Sequence, residues 1–277
     1  MARRRQSGHR PLLDLLATRF PDYSRDELYR YVMCSEIQVD GSVCSDPRRM
    51  TRPEAELGIV TRRFVSRGGE KLAAALAAWE LDFTGRVVLD AGASTGGFTD
   101  CALQHGARAV HAVDVGYNQL DYRLRSDPRV HVHEQTNAGD LTRDHLHPPP
   151  DLMVCDLSFR SLRGILRPLL TLTSGGWGIA LLKPQFELAA EARWQREGAD
   201  RAVLDAGGGV LAGSTRDEVI ERVCGELEHD ERLQVLRRID SPLAGRDGNR
   251  ETLLMVALPE RGTGPRTGGD SPRGESV

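Results

Sequence analysis

From residue 70 onward the chain repeats one pattern, a short aliphatic run that stops at a polar residue. Val87-Val88-Leu89 stops at Asp90, and Ala109 to Val113 stops at Asp114. Val130 to Glu134 leads into Gln135-Thr136-Asn137, Asp151 to Cys155 stops at Asp156, and Gly178 to Leu182 stops at Lys183. Mostly apolar runs of this length, interrupted at His111, His131 and His133, suit strands buried on both faces of a parallel sheet. Apolar positions recur at helical spacing in Lys71 to Trp79, Phe98 to Leu103, Leu162 to Thr173 and Thr215 to Glu228. Two last strands are expected at Leu233 to Ile239 and Thr252 to Leu258, separated by the polar turn Ser241 to Glu251. Strand alternating with helix predicts a doubly wound α/β domain with a mostly parallel sheet. Ligands of such sheets bind beyond the carboxyl ends of the strands, and Asp90, Asp114, Asn137, Asp156 and Lys183 all lie there.

The first sixty residues are patterned differently. Leu12, Leu13, Leu15 and Leu16 predict a short helix ending near Phe20-Pro21. Ser24 and Glu27 form a capping box that opens a second helix through Leu28, Tyr31 and Val32. Ile37-Gln38-Val39 alternates, and Asp40-Gly41 is a hairpin turn signal. Helix, helix and hairpin, with arginines on the polar faces, resemble the S4 RNA-binding domain over about residues 10–60. Residues 1–9 are basic and 260–277 are Gly/Pro/Ser-rich, and both are expected to be disordered tails. Residues 61–69 are expected to be a linker with a turn at Ser66-Arg67-Gly68-Gly69, leaving 70–259 for the α/β domain.

The turn after Asp90 carries the first chemical signal. Gly92, Gly96 and Gly97 let a backbone come close to a ligand, and the helix that follows offers free N–H groups at its start. Three readings are open. A dinucleotide site wants G-x-G-x-x-G, whereas the spacing here is G-x-x-x-G-G. Gly92-Ala93-Ser94-Thr95-Gly96 matches the nucleophile elbow G-x-S-x-G, which requires a later Asp and His. After His147, however, the single histidine is His229, in a polar run. An S-adenosylmethionine (SAM) site fits best: the loop turns beneath the methionine part, and Asp114 takes the ribose diol.

Composition narrows the field. Of 277 residues, 39% are hydrophobic and 28% charged, and no apolar run reaches the ~18 residues that span a membrane. The basic start lacks a signal core, so a cytoplasmic protein is expected. Five scattered cysteines without C-x-x-C read as reduced thiols. The pairs His131/His133 and His145/His147 have no further ligand cluster nearby, so no metal is expected. The net charge of −3 is uneven: the first 67 residues hold 13 Arg against 9 Asp and Glu, a net of +4, leaving −7 on the remainder. A basic front on an acidic body suits contact with a polyanion. Of the 37 basic residues, Lys71 and Lys183 are the two lysines. Elsewhere arginine serves as a solvated cation, so these two positions need something arginine lacks. Lysine can give up its proton inside a protein and arginine cannot. Lys183, at a strand end, is a candidate general base. Asp156 ends the neighbouring strand, and Glu251 opens the last strand above the same edge.

Seven ordered segments resemble the TlyA family. They are Val65-Ser66-Arg67-Gly68-Gly69-x-Lys71-Leu72, Asp90-x-Gly92-Ala93-Ser94-Thr95-Gly96-Gly97-Phe98-Thr99-Asp100, Asp114-Val115-Gly116-Tyr117-x-Gln119-Leu120, Glu134-x-Thr136-Asn137, Asp156-x-Ser158-Phe159-x-Ser161-Leu162, Lys183-Pro184-Gln185-Phe186-Glu187 and Ser241-Pro242-x-x-Gly245-x-x-Gly248-Asn249-x-Glu251. The family comprises S4-containing ribosomal RNA 2′-O-ribose methyltransferases with an FtsJ-like fold, often labelled haemolysin A. The resemblance implies a Rossmann-like SAM methyltransferase sheet, mostly parallel with one antiparallel strand, behind a small S4-like α/β RNA-binding domain. It implies a Lys-Asp-Lys-Glu tetrad at Lys71, Asp156, Lys183 and Glu251, so that both lysines of the chain fall on tetrad positions. SAM would be bound by Asp90, Gly92, Ser94, Thr95, Gly96, Gly97, Phe98, Asp114, Asn137 and Asp156. The partner would be ribosomal RNA or a ribosomal subunit, methylated on cytidine in 16S or 23S RNA without a metal. Two departures stand out: Ala138-Gly139-Asp140 follows Thr136-Asn137, where the family usually has an arginine, and Arg160 replaces an apolar residue.

Rival chemistries leave other marks. Methylation of base amino groups usually shows Asn/Asp-Pro-Pro-Tyr/Phe, and here the residues are Asp156-Leu157-Ser158-Phe159. Cytosine C5 methylation needs a cysteine nucleophile, and Cys155, as a strand residue next to Asp156, should point away from the ligand. Membrane lysis, suggested by the family's label, needs a spanning or strongly amphipathic basic segment that the sequence lacks. A degenerate enzyme domain kept only to bind RNA is opposed by the intact tetrad.

Overall fold

The computed structural model describes residues 8–34, 36–60, 63–158, 160–194, 210–245 and 248–261. Of the expected tails 1–9 and 260–277, residues 1–7 and 262–277 lie outside the described residues, as do the Gly-rich stretch 195–209 and Phe159. Glu260 and Arg261 belong to a short 3-10 turn, Pro259–Arg261, so the expected disorder does not hold there. Two compact units form: one runs through Val65 and takes in Asp121–Asp127, and the other holds Ser66–Leu120 and the chain from Pro128.

In the first unit, helices α1 (Leu12–Arg19) and α2 (Arg25–Met33) follow the expected apolar spacing. The capping box closes as predicted: Ser24 Oγ accepts from Glu27 N at 3.2 Å, and Glu27 Oε2 accepts from Ser24 N at 2.7 Å. The hairpin of Ile37–Val39 and Ser42–Cys44 turns through Asp40 (φ 51°) and Gly41 (φ 75°), the left-handed pair that a two-residue turn of this kind requires. Leu57–Ile59 pairs with the other side of Ile37–Val39, a strand whose Leu-Gly-Ile triplet is too short to show a period. Leu12, Leu16, Leu28, Val32, Ile37 and Val39 fill the core of this unit. The segment Asp121–Asp127 joins it through polar contacts: Arg123 Nη1 lies 3.1 Å from Glu36 Oε1, and Cys34 Sγ donates to Asp121 Oδ1 at 3.3 Å.

The second unit is built on a seven-stranded sheet. Its strands, numbered here as a set, are β1 (Val87–Ala91), β2 (Ala109–Val113), β3 (Val130–His133), β4 (Leu152–Cys155), β5 (Trp177–Leu182), β6 (Gln234–Asp240) and β7 (Thr252–Ala257), in the spatial order β6-β7-β5-β4-β1-β2-β3. All seven expected strands are present within a residue or two. Strand β7 alone runs against the rest, antiparallel to both β5 and β6. Strands β1, β2, β4, β5 and β7 are buried at every residue, which is why they are apolar apart from Asp90, His111 and Thr252. The order reverses between β1 and β4, and that switch point is where ligands of open α/β sheets bind.

Three local differences from expectation bear on the site. Helix α3 spans Arg67–Trp79, so Arg67-Gly68-Gly69 is its first turn instead of a linker turn. The glycines there admit α4 (Gly97–Gln104) at close range: a Cβ on Gly97 would collide with Ser66 Oγ and sit 2.9 Å from Gly69 N. Pro184–Trp194 is a helix, with proline in the first position, where its missing N–H costs nothing. The helix expected from Leu162 begins at Leu166, after Gly164 turns at φ 73°.

Two glycine substitutions should act in opposite directions. Gly97→Ala overpacks the α3–α4 contact and should lower stability by about 1–3 kcal/mol. Gly225, inside the helix Gly213–His229, has open space around it, with nothing within 4 Å of where a Cβ would stand. Gly225→Ala should therefore raise stability by up to about 1 kcal/mol. Thermal unfolding midpoints of the two variants against the wild type check both signs.

Candidate active site

The register of the sheet assembles the site. Ala91 of β1 pairs with Cys155 of β4, so Gly92 and Asp156 leave the sheet side by side. Leu182 of β5 pairs with Thr252 of β7, and because β7 is antiparallel its first residue meets the last residue of β5. Lys183 and Glu251 therefore emerge at the same edge. A parallel last strand would have put Glu251 at the far end of the sheet.

The glycine loop is held from β2. Gly92 N and Ala93 N both donate to Val113 O, at 2.9 and 3.0 Å, and Ser94 N donates to Asp114 Oδ2 at 2.8 Å. Gly92 (φ 90°) passes so near β4 that a Cβ would lie 2.6 Å from the Asp156 carbonyl oxygen. Asp114 Oδ1 accepts from Gly116 N at 2.7 Å. Asn137 Oδ1 accepts from Gly139 N at 3.0 Å and from Arg160 Nη1 at 3.2 Å. The arginine that replaces an apolar residue thus reaches back to the Thr136-Asn137 segment.

Above the loop lies a cavity of about 1010 Å³. Lys71, Gly92, Ser94, Thr95, Gly97, Phe98, Asp114, Asn137, Asp156, Lys183 and Glu251 line it. Two residues expected at the cofactor do not. Gly96 lies behind the wall as the residue preceding α4. Asp90 is fully buried beneath the loop, where its Oδ2 accepts from Thr99 Oγ1 at 2.6 Å. Asp90 Oδ1 has no hydrogen-bond partner among the described residues. Burial lifts the Asp90 carboxyl to about 7, against the opposing pull of the Thr99 hydrogen bond, and the nearby charge of Asp156 adds to the rise. Asp90 braces the loop from below; a strand-end carboxylate in sequence does not reveal which side of the loop it will face.

The four tetrad positions form two ion pairs. Lys71, one turn into α3, donates from Nζ to Glu251 Oε2, and both residues are buried. Lys183 Nζ lies 2.6 Å from Asp156 Oδ1 and donates to Ser158 Oγ at 3.0 Å. Gly245 makes room for the first pair, since a Cβ there would sit 2.6 Å from Glu251 Oε1. Glu187 closes the motif that begins at Lys183, and the sequence gives it no role. Its buried carboxylate accepts from Ser161 Oγ at 2.5 Å and Leu162 N at 2.8 Å, which fastens the loop that follows Asp156. Ser66, Arg67, Gln119, Ser158, Arg160 and Gln185 also line the cavity, and sequence reasoning does not single them out as site residues. Arg67 is legible in principle: it stands four residues before Lys71, on the same helix face.

Alternative chemistries find little footing. Cys155 is fully buried and its thiol is pushed up to about 12, chiefly by burial, so it is no thiolate nucleophile. Ser94 adopts the positive φ (49°) of an elbow serine, but no histidine lines the cavity among the described residues.

Comparison with known proteins agrees with this geometry. The family described as FtsJ-like methyltransferase matches residues 64–257. The 16S/23S rRNA (cytidine-2'-O)-methyltransferase TlyA of Mycobacterium tuberculosis is 44% identical over 169 residues, 60% of this chain and 63% of its own length. The match thus spans less than two thirds of that relative. A Bacillus subtilis protein named "Putative rRNA methyltransferase YqxC" is 36% identical over 258 residues, 90% of this chain and 85% of its own. Among solved structures, one titled "Putative hemolysin from Streptococcus thermophilus" superposes with a TM-score of 0.63 at 34% identity, covering 91% of this chain and 89% of that one.

The raised Asp90 carboxyl makes a pH prediction. Between the ordinary carboxylate value near 4 and the folded-state value of about 7, the folded protein holds a proton that the unfolded chain releases. Stability therefore falls as pH rises through this window. Asp90→Asn removes the titration, so its unfolding midpoint relative to the wild type should be higher at pH 8 than at pH 5, as read by calorimetry.

Proposed function

The chain belongs to the FtsJ-like methyltransferase family, and on that premise we propose that it methylates a ribose 2′-oxygen of ribosomal RNA, at a cytidine, with SAM as methyl donor. The observation that carries the reading is the pairing of both lysines of the chain with separate carboxylates in one cavity beside the glycine loop. The names of the relatives at 44% and 36% identity support the ribosomal substrate.

The residues fit SAM. Gly92 lets the loop close against the Asp156 backbone without a side chain intruding, and each Asp114 oxygen, bonded to one backbone N–H, keeps a lone pair for a ribose hydroxyl. A cavity of about 1010 Å³ is at the top of the ~300–1,000 Å³ range of small-molecule sites, which leaves room for a nucleotide beside the donor. When bound, SAM supplies an electrophilic methyl group. A ribose 2′-hydroxyl is a weak nucleophile at neutral pH, and Lys183 takes its proton as general base. Asp156 holds the Lys183 head beside that hydroxyl. Lys71, balanced by Glu251, presents a second fixed cation to the negative charge that develops on the oxygen. Much of the rate comes from holding the hydroxyl in place.

The arginine-rich first unit, with its two helices and hairpin, is assigned the S4-like role of docking RNA through its phosphates. A ribosomal substrate places the reaction in the cytoplasm. Among the described residues no helix is long and apolar enough to cross a membrane.

The test is to incubate the protein and radiolabelled SAM with 30S subunits, 50S subunits and 70S ribosomes, then map 2′-O-methyl positions. Transfer to no RNA would overturn the reading. Lys183→Arg keeps the charge but loses the titratable amine; turnover should fall by at least about 100-fold while SAM affinity stays within about twofold. Wild-type turnover in that variant would remove Lys183 from the base role.

A further inference from the structure

We propose that Ser158 is a positioning residue for Lys183, turning the lysine head so that its lone pair faces the acceptor hydroxyl. The inference rests on the methyl-transfer reading and deepens it. Lys183 Nζ has two polar neighbours of different kinds. Asp156 Oδ1, at 2.6 Å, attracts it by charge, and Ser158 Oγ, at 3.0 Å, accepts a hydrogen bond. A charge attraction draws the flexible four-carbon stem toward the carboxylate without fixing how the head is rotated. A hydrogen bond is directional and fixes it.

The loop is built to hold this arrangement. Asp156 and Ser158 both lie on the loop that leaves β4, and Leu157 between them packs against the hydrophobic core. Farther along, Glu187 fastens the same loop through Ser161 and Leu162. Ser158 is thereby presented to Lys183 from a segment anchored on both sides.

In the neutral amine one N–H donates to Ser158, and the lone pair turns away from the Asp156 carboxylate, whose Oδ1 lies 2.6 Å from Nζ but takes no hydrogen bond among the described residues. Of the tetrahedral positions left by the carbon stem and that N–H, the lone pair takes the one facing the acceptor hydroxyl. The O–H bond of the ribose breaks, a third N–H bond forms on Lys183, and the electron pair stays on the ribose oxygen. Ser158 accepts from Lys183 before and after the transfer and itself neither gains nor loses a proton.

The experiment compares wild type, Ser158→Ala and Ser158→Thr in steady-state transfer from SAM to ribosomal subunits, with SAM binding measured separately by calorimetry. Ser158→Ala should lower kcat about tenfold, with KM for subunits and SAM affinity within about twofold. Ser158→Thr, which restores the acceptor, should return kcat to within about threefold of wild type. An alanine variant as fast as wild type overturns the role of Ser158 and leaves the methyl-transfer reading standing. A loss carried in KM or SAM affinity, or one that threonine does not repair, also overturns it, because Ser158 would then serve binding or loop structure. A wild-type protein that transfers no methyl group removes both the proposal and the reading beneath it.

Discussion

Two ammonium groups inside one cavity are the constraint around which this molecule is arranged. A buried charge without a partner costs several kcal/mol, so each lysine must bring a carboxylate with it. Lys71 and Lys183 are respectively 9% and 8% exposed, and each has its own acid. Glu251, the partner of Lys71, is 180 residues away in the chain. It arrives because the last strand is reversed: Thr252 pairs with Leu182, so the residue before one strand and the residue after the other lie at the same edge. The antiparallel strand of an otherwise parallel sheet is thus what completes the site.

The glycines solve the complementary problem of distance. The switch point of the sheet brings the end of β1 against the end of β4, and no side chain fits between Gly92 and the Asp156 carbonyl. The same holds where α3 meets α4, at Ser66, Gly69 and Gly97. These contacts pull the first turn of α3, with Arg67 and Lys71, over the mouth of the glycine loop. Asp90 lies beneath that loop, its carboxyl raised by burial and one oxygen without a hydrogen bond among the described residues. A carboxylate held in that state is a cost to stability at neutral pH, and it is tolerated under the loop that defines the ligand site, where local consistency commonly yields to function.

Much of this is legible in the chain because buried strands and strand ends write themselves plainly. All seven sheet strands, the capping box at Ser24 and the turn at Asp40-Gly41 are readable from period and turn chemistry, while the reversed strand follows only from the family resemblance. What escapes reading depends on distance in three dimensions. The triplet Leu57–Ile59 is too short to show alternation, and Asp121–Asp127 joins the first unit through single polar contacts such as Arg123 to Glu36. Helix Pro184–Trp194 is hidden because its first residues read as a strand-end motif. At the site, Asp90 is expected at the ligand and instead turns to Thr99, since a residue's side of the sheet edge depends on the loop that follows it. Ser158 and Glu187 stand inside recognisable motifs, but a hydroxyl or carboxylate gains its role only from the neighbour it meets.

The two lysines, chemically identical, are placed unequally, and the difference argues for their division of labour on the proposed reading. The Lys71 side chain and that of Glu251 are 11% and 4% exposed, a pair closed on itself. In the other pair the Lys183 side chain is 9% exposed and that of Asp156 is 22%, although the Asp156 Oδ1 that faces Lys183 is itself buried. A closed pair keeps a constant field, since neither member can change its charge without leaving the other uncompensated. On the proposed reading the second pair, whose acid is the more exposed of the two, is the one that meets the acceptor hydroxyl. Arginine would serve the first role in charge but is longer and forked, and Glu251 already crowds against Gly245. In the second role arginine would fail outright, because it does not release its proton. On the proposed reading, then, lysine serves at position 71 for shape and at position 183 for chemistry.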